Sequence, residues 1–218
     1  FKIGTKKQLY KLKDLTEFYN NMMSNSTYKY GAKLEFIHEE DAFEEESRPL
    51  LKFILKHAET IKYVNSSANS SYRYFGKVLS TGSITLSNTA LDEIFEILKG
   101  GEYQIEQDYF ARTISFKDEN PDIKFELLKE SKEEYNLSCN IQMHNEYNIL
   151  QGKNNVYFLT RDSLHRCTNE YKETSLKLLD VFRRNYTNQI KFGKEEMSKF
   201  FSVVLPKAKN SINIERIE

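Results

Sequence analysis

The sequence predicts an α+β fold with short antiparallel strands and recurring strand-turn-helix units. At several places, a short alternation of apolar and polar residues stands before a run in which apolar residues recur every three or four positions. That order is typical of a half-buried strand followed by an amphipathic helix. Between residues 103 and 168 the chain instead carries many short apolar runs and few helical patterns. We expect a group of antiparallel strands there.

The composition is that of a folded chain. Of the 218 residues, 39% are hydrophobic and 29% are charged, which argues against disorder. No run approaches the roughly 18 apolar residues of a membrane span, and no signal peptide pattern is present. Cys139 and Cys167 are the only cysteines, too few for a disulfide framework in a chain of this size. We therefore expect a soluble, cytoplasmic protein with no membrane partner.

The first unit lies at the start of the chain. Residues 1–4 alternate like a strand, and a second alternation at Tyr10 and Leu12 leads into a helical pattern. Asp14 is its predicted N-terminal cap. The apolar positions of this helix are Leu15, Phe18, Tyr19, Met22 and Met23. Because residues 212–217 also alternate like a strand and the first residue is Phe1 rather than Met, we expect the chain to be part of a longer polypeptide.

A longer helix is predicted over residues 44–63, with Pro49 marking its beginning. Its predicted buried side is Leu50, Leu51, Ile54, Leu55, Ala58 and Ile61. Residues 65–71 are small and polar, the composition of a flexible loop. This stretch is the predicted boundary between two subdomains of the 218-residue region.

Two further units match each other position for position. A strand at 84–86 precedes Leu91, Ile94, Phe95 and Leu98, and a strand at 190–192 precedes Met197, Phe200, Phe201 and Val204. Ser87 or Asn88 can cap the first of these helices, and Gly100 with Gly101 can end it. Any strand followed by an amphipathic helix gives such spacing, so common repeat ancestry and coincidence both stay open.

The middle of the chain carries the predicted strands. These are residues 109–116, 123–128, 137–141, 147–150, 156–160 and 164–168. A turn is predicted at 152–155. A helix is predicted from 170 to 184, with Leu176, Leu179, Val181 and Phe182 as its apolar residues.

Catalytic and cofactor motifs are not evident. No closely spaced glycine series precedes a helix, so the sequence offers no phosphate-binding loop and we expect no ATP binding. Cys139, His144, His165 and Cys167 could converge on zinc, but their spacing is not that of a zinc site, and the cysteines fit small core residues. We predict no catalytic residue, metal site or cofactor in this chain.

A nuclease site was the other candidate for metal chemistry. Asp122 followed by Glu130 and Lys132 echoes the acids and lysine that hold Mg²⁺ and assist water. The second acid of such a site belongs on a strand that rises from an apolar core, whereas residues 130–134 form a run of charged residues. We therefore favour the interpretation of residues 130–134 as a run of solvent-exposed charges without a catalytic role.

Basic residues mixed with aromatics are the candidates for nucleic-acid binding. One set lies at Tyr72, Arg73, Tyr74, Phe75 and Lys77. The predicted binding set is Arg161, Arg166, Arg183, Arg184 and Lys191. An ordinary surface with aromatics facing the core also explains both sets, and this interpretation is favoured. Since the formal net charge is zero, no global field attracts a polyanion.

An acidic segment is the candidate for protein contact. Its members are Glu39, Glu40, Asp41, Glu44, Glu45 and Glu46. The simplest interpretation is a solvated helix entry, where acids complement the helix dipole. The same segment is also the predicted partner contact.

The sequence as a whole resembles the bacterial helicase-associated region of SWI/SNF-type (superfamily two) helicases. The residues that carry the resemblance are Ile3, Gly4, the stretch 9–18, Tyr30, Gly31, Phe36, the stretch 156–159 and the stretch 200–206. The resemblance implies a non-catalytic accessory region ahead of a two-lobed ATPase motor, often behind a zinc-containing SWIM module. It implies as partners the motor lobes, with DNA and another protein as further candidates. No motor motif lies in these residues, and no catalytic position carries over.

Overall fold

The computed structural model describes residues 1–71, 79–107, 110–131, 134–141, 147–185, 187–204, 206 and 213–217. The chain divides into two compact units, Phe1–Ser87 and Asn88–Glu218. Both units combine helices with short strands, so the α+β prediction is confirmed. Within the described ranges, no helix has the length and hydropathy needed to cross a bilayer.

The first unit places two small hairpins beside a pair of helices. Its elements are β1 (Lys2–Thr5), β2 (Gln8–Lys11), α1 (Leu15–Met23), β3 (Thr27–Gly31), β4 (Leu34–Ile37), two 3₁₀ turns (Glu40–Ala42 and Glu45–Ser47) and α2 (Arg48–Ser71). Strand β1 pairs with β2 and β3 with β4, both antiparallel. Helix α1 packs against α2, and the buried residues include Leu15, Phe18, Phe53, Ile54 and Ala58.

Helix α1 begins as the sequence predicts. The Asp14 carboxylate accepts hydrogen bonds from the backbone amides of Thr16 at 2.9 Å and Glu17 at 3.0 Å. These amides have no partner within the helix, so the cap satisfies two of its unpaired donors. Burial raises the pKa of Asp14, but the hydrogen bonds from Thr16 and Glu17 outweigh it and lower the pKa to about 2.

Helix α2 is longer than the sequence predicts. It continues through Ser71, where the small polar residues 65–71 favoured a loop. The side-chain Nδ2 of Asn65 donates to the Leu79 carbonyl at 3.0 Å, and its Oδ1 accepts from the Leu79 backbone amide at 2.9 Å. This pairing links the side chain of Asn65 to the chain beyond the helix. Residues 65–71 are helical although Asn and Ser are weak helix formers. The division into units falls at Ser87, beyond the predicted stretch.

The second unit is built on two sheets. Its elements are α3 (Asn88–Leu98), β5 (Glu102–Gln107), β6 (Phe110–Lys117), β7 (Lys124–Lys129), β8 (Glu134–Cys139), β9 (Asn148–Gln151), β10 (Val156–Leu159), β11 (Ser163–Cys167), α4 (Asn169–Tyr171), a π segment (Lys172–Leu176), α5 (Lys177–Arg184), β12 (Gln189–Gly193), α6 (Lys194–Lys199), a π segment (Phe200–Val204) and β13 (Asn213–Ile217). The strand orders are β5-β6-β11-β10-β9 and β12-β8-β7-β13.

The central strands of the five-stranded sheet, β10 and β11, are buried on both faces. Tyr157 on β10 packs with Phe95 of α3 on one side, while its neighbours Val156 and Phe158 join a larger core on the other. That larger core brings together β7, β8 and the helical segment from Asn169 to Arg184, and it also holds Cys139 and Cys167. Both cysteines are free and buried, as the core interpretation predicted.

Three further features of the structure differ from the sequence predictions. Residues 84–86 form no strand. Helix α3 is therefore not preceded by a strand, whereas β12 precedes α6 in the matching unit. The hairpin of β3 and β4 and the edge strand β5 were not predicted, because their short runs give only weak alternation. Two neighbouring pairs, β6 with β11 and β7 with β13, are parallel rather than antiparallel. Sequence patterns mark strands but leave their direction of pairing open.

Candidate functional site

The five predicted nucleic-acid residues lie at four different places in the second unit. Arg161 stands in the turn between β10 and β11, Arg166 lies on β11, and Lys191 lies on β12 of the other sheet. Arg183 and Arg184 end α5. The structure therefore spreads this set over both sheets and one helix.

Arg166 is held inside the second unit by carboxylates. It pairs with Asp118 and Glu96, and its Nε donates to Asp118 Oδ1 at 2.8 Å. Its guanidinium lies 5.1 Å from the centre of the Phe95 ring, and its side chain is 19% exposed. The hydrogen bond to Asp118 raises the pKa of Arg166. These contacts connect α3 to the sheet, so they explain Arg166 as a structural residue.

The other helix and strand cations of the set also have carboxylate partners. Arg183 and Arg184 both pair with Asp180, at 3.1 and 2.6 Å. Lys191 pairs with Glu130 at 2.9 Å. Within the described ranges, Arg161 is the member of the set for which no carboxylate partner is seen. The second aromatic and basic set, residues 72–77, lies outside the described residues.

The acidic segment is exposed in the first unit. Two of its acids are paired, Asp41 with Arg48 at 3.1 Å and Glu40 with Lys52 at 3.0 Å. The remaining four acids are exposed and have no cationic partner in the part of the chain that the structure describes; they are Glu39, Glu44, Glu45 and Glu46. The segment therefore presents unneutralised negative charge next to the start of α2.

An apolar groove of about 720 Å³ lies beside this segment. Its apolar lining is Ile3, Leu9, Leu12, Phe18, Leu34, Phe36, Phe43, Leu50, Leu51 and Ile54. Leu9 is 59% exposed, and Glu44 stands at the edge of the groove. Exposed apolar surface bordered by charge is typical of sites that contact another protein.

The nuclease and zinc interpretations find no support in the described residues. Asp122 precedes β7 and Glu130 follows it, so a strand of roughly 16 Å separates the two acids, at about 3.3 Å per residue. Lys132 and His144 lie outside the described residues. Both ring nitrogens of His165 have partners, the Glu119 carbonyl at 3.2 Å and the Ser163 hydroxyl at 3.0 Å. No cluster of three metal-ligating side chains occurs in the ranges described.

A second cavity, of about 540 Å³, lies in the second unit. Arg161 lines it, together with Arg112 of β6, which sequence reasoning missed. Tyr147 forms one wall, and its ring stacks on the buried ring of Phe158, with ring centres 4.9 Å apart and planes at 16°. Arg112 lies within a predicted strand and has no basic residue next to it in the sequence. The folding of the chain is what places it at the same cavity as Arg161. We call this cavity the two-arginine pocket.

Comparison with known proteins is informative for the larger part of the chain. Residues 83–218 match the model of a family described as bacterial SNF2 helicase associated. The match includes all of the Asn88–Glu218 unit, while the resemblance of residues 1–82 stays an expectation. No curated protein and no solved structure matches the chain.

Proposed function

The chain belongs to the bacterial SNF2 helicase-associated family, and from this we propose that it is a non-catalytic accessory region of an SNF2-type helicase. It regulates the ATP-dependent, DNA-translocating motor of a longer bacterial, cytoplasmic protein through contacts with the motor lobes or with another protein. The catalytic step belongs to the motor. The accessory region alters how fast the motor turns over once DNA is bound.

The observation that carries this proposal beyond the family is the acidic segment with its groove. Glu39, Glu44, Glu45 and Glu46 have no cationic partner among the described residues, and the acidic segment lies beside an apolar groove. Unpaired acids on the rim of an apolar surface favour a basic partner and speed its association. A DNA backbone is excluded as the partner of this surface, because both are negative.

Charge reversal tests the proposed contact. Glu45→Lys with Glu46→Lys in the full-length protein reverses two unpaired acids of the segment. We expect the DNA-stimulated ATPase rate at saturating DNA to change by several fold, since like charges oppose the basic partner. A matched control is Glu170→Lys with Glu195→Lys, which reverses acids in the first turns of α4 and α6. Equal rates in both double variants and in the unmodified protein would remove the segment from the proposal.

Direct DNA binding through the predicted basic set is the second candidate. The pairing of Arg166, Arg183, Arg184 and Lys191 with carboxylates weakens it, because a phosphate would have to displace those partners. If this candidate is right, removing Arg183 and Arg184 together lowers duplex affinity and flattens its salt dependence. Unchanged affinity would leave the regulatory contact as the explanation.

A further inference from the structure

Two arginines line the two-arginine pocket. Arg112 comes from β6 and Arg161 from the turn after β10. The carboxylate that lines the same cavity is Asp162, which accepts a hydrogen bond from the Thr160 hydroxyl at 2.9 Å. Among the described lining residues, two positive charges thus face one negative charge that is already hydrogen-bonded. The pocket is therefore locally basic although the whole chain is neutral.

The Nε atom of Arg112 is buried and has no hydrogen-bond partner among the residues that the structure describes. A buried donor without a partner costs roughly 1–3 kcal/mol, so such groups are rare in folded proteins and call for an explanation. Arg166, by contrast, is largely covered and its guanidinium is paired with the carboxylates of Asp118 and Glu96. An anionic oxygen that entered the cavity would satisfy the Arg112 donor.

The rest of the lining indicates which anion fits. The partly exposed ring of Tyr147 and the side chain of Leu159 supply an apolar wall, and the fully buried Phe158 ring supports the Tyr147 ring from behind. A cavity of about 540 Å³ lies in the range of small-ligand pockets and admits a planar ring together with one charged group. Sites for single-stranded nucleic acid combine basic residues, which contact the phosphates, with aromatic rings, on which the bases stack.

We propose that the two-arginine pocket binds single-stranded DNA, with a phosphate on Arg112 and Arg161 and an unstacked base against the ring of Tyr147. A base can enter the cavity only when it is free of a duplex, because a paired base is stacked between its neighbours. The site is independent of the proposed motor contact, which lies in the other unit. It gives the accessory region a way to respond to unpaired DNA.

The test is titration of a fluorescently labelled oligothymidylate with the 218-residue chain, followed by anisotropy. Arg112→Lys keeps the positive charge but removes the Nε donor and the planar fork. We expect its dissociation constant to rise about tenfold, which corresponds to about 1.4 kcal/mol. The control is Lys153→Gln, which removes a positive charge in the turn at the other end of β10, and we expect less than a twofold change.

Two further measurements complete the test: binding by an Arg161 variant and competition with ATP. Arg161→Gln changes an exposed turn residue and is expected to weaken binding by a similar factor, so it carries the test if thermal melting shows that Arg112→Lys is unfolded. ATP is expected to compete poorly with the oligonucleotide. The proposal is overturned by absence of saturable binding, by equal losses in the Arg161 and Lys153 variants, or by ATP displacing the oligonucleotide at matched concentration, which would indicate a mononucleotide pocket.

Discussion

The hydroxyl of Tyr157 donates a hydrogen bond of 2.7 Å to the carboxylate of Asp92, which ties the buried strand β10 to helix α3. The other oxygen of the same carboxylate accepts from the Asn154 amide at 2.8 Å. Burial raises the pKa of Tyr157, and the hydrogen bond to Asp92 raises it further. One carboxylate therefore fixes both the strand and the turn that precedes it.

Gly152 lies within this arrangement and leaves no room for a side chain. A Cβ atom there would lie 1.9 Å from the Asp92 Oδ1 atom. Gly152→Ala is expected to lower the free energy of unfolding by about 1–3 kcal/mol, as overpacking does, measured by urea denaturation. Gly193→Ala is the matched control, since its nearest neighbour would be 3.9 Å away and its φ is −76°. Equal urea midpoints for the two variants would contradict this prediction, because they would show that the turn accommodates a Cβ atom without loss of stability.

The Asp14 cap predicts a pH-dependent contribution to stability. Because the pKa of Asp14 is about 2 in the folded chain and 3.8 is its ordinary value, its contribution is present above about pH 4 and is lost as pH falls toward 2. Asp14→Ala should cost about 1 kcal/mol at neutral pH. Asp14→Asn, which caps without titrating, should keep most of that stability but lose this pH dependence. Denaturation at pH 7 and pH 2.5 distinguishes these outcomes, and parallel behaviour of both variants would contradict the assignment.

Arg166 is predicted to stabilise the second unit rather than to bind DNA. Its fork joins Asp118 and Glu96 and stacks on Phe95, a geometry that lysine cannot reproduce. We expect Arg166→Lys to lower the denaturation midpoint clearly, with a loss of about 1–3 kcal/mol. Arg184→Lys, at an exposed surface pair, should change it by less than about 0.5 kcal/mol. A stable Arg166→Lys variant with weakened DNA binding would reverse this interpretation.

Duplex DNA should bind this region weakly. The formal net charge is zero, and the carboxylates described above neutralise most of the predicted basic set. We expect a dissociation constant above roughly 10 µM for duplex DNA at physiological salt, the range of non-specific contact. Submicromolar duplex binding by the 218-residue chain in an anisotropy titration would show that the DNA-binding alternative is the right one.

Local chemistry explains which parts of the fold could be predicted from the sequence. Asp14 directly before an amphipathic run identified a helix start, and the φ of +79° at Gly100 agrees with its predicted role as a helix stop. The strands from β6 to β11 were all anticipated because their apolar runs are bounded by turn residues. These features depend on neighbours in the sequence.

The parts that could not be predicted depend on contacts between distant residues. Residues 65–71 have the composition of a loop, yet they belong to α2, and the side chain of Asn65 bonds to Leu79, 14 positions further along the chain. The pairing of β13 with β7 joins residues far apart in the chain. Arg112 and Arg161 are 49 positions apart in the sequence, so no spacing rule could have placed them at one cavity.

The regulatory account is tested most directly by comparing the full-length protein with a version that lacks this region. The measurement is DNA-stimulated ATPase at saturating duplex DNA, with duplex affinity determined separately across salt concentrations. We predict an altered turnover at saturating DNA, with the same duplex affinity and the same salt dependence. Weaker duplex affinity with a flatter salt dependence and an unchanged turnover would contradict the account and make DNA positioning the function of this region.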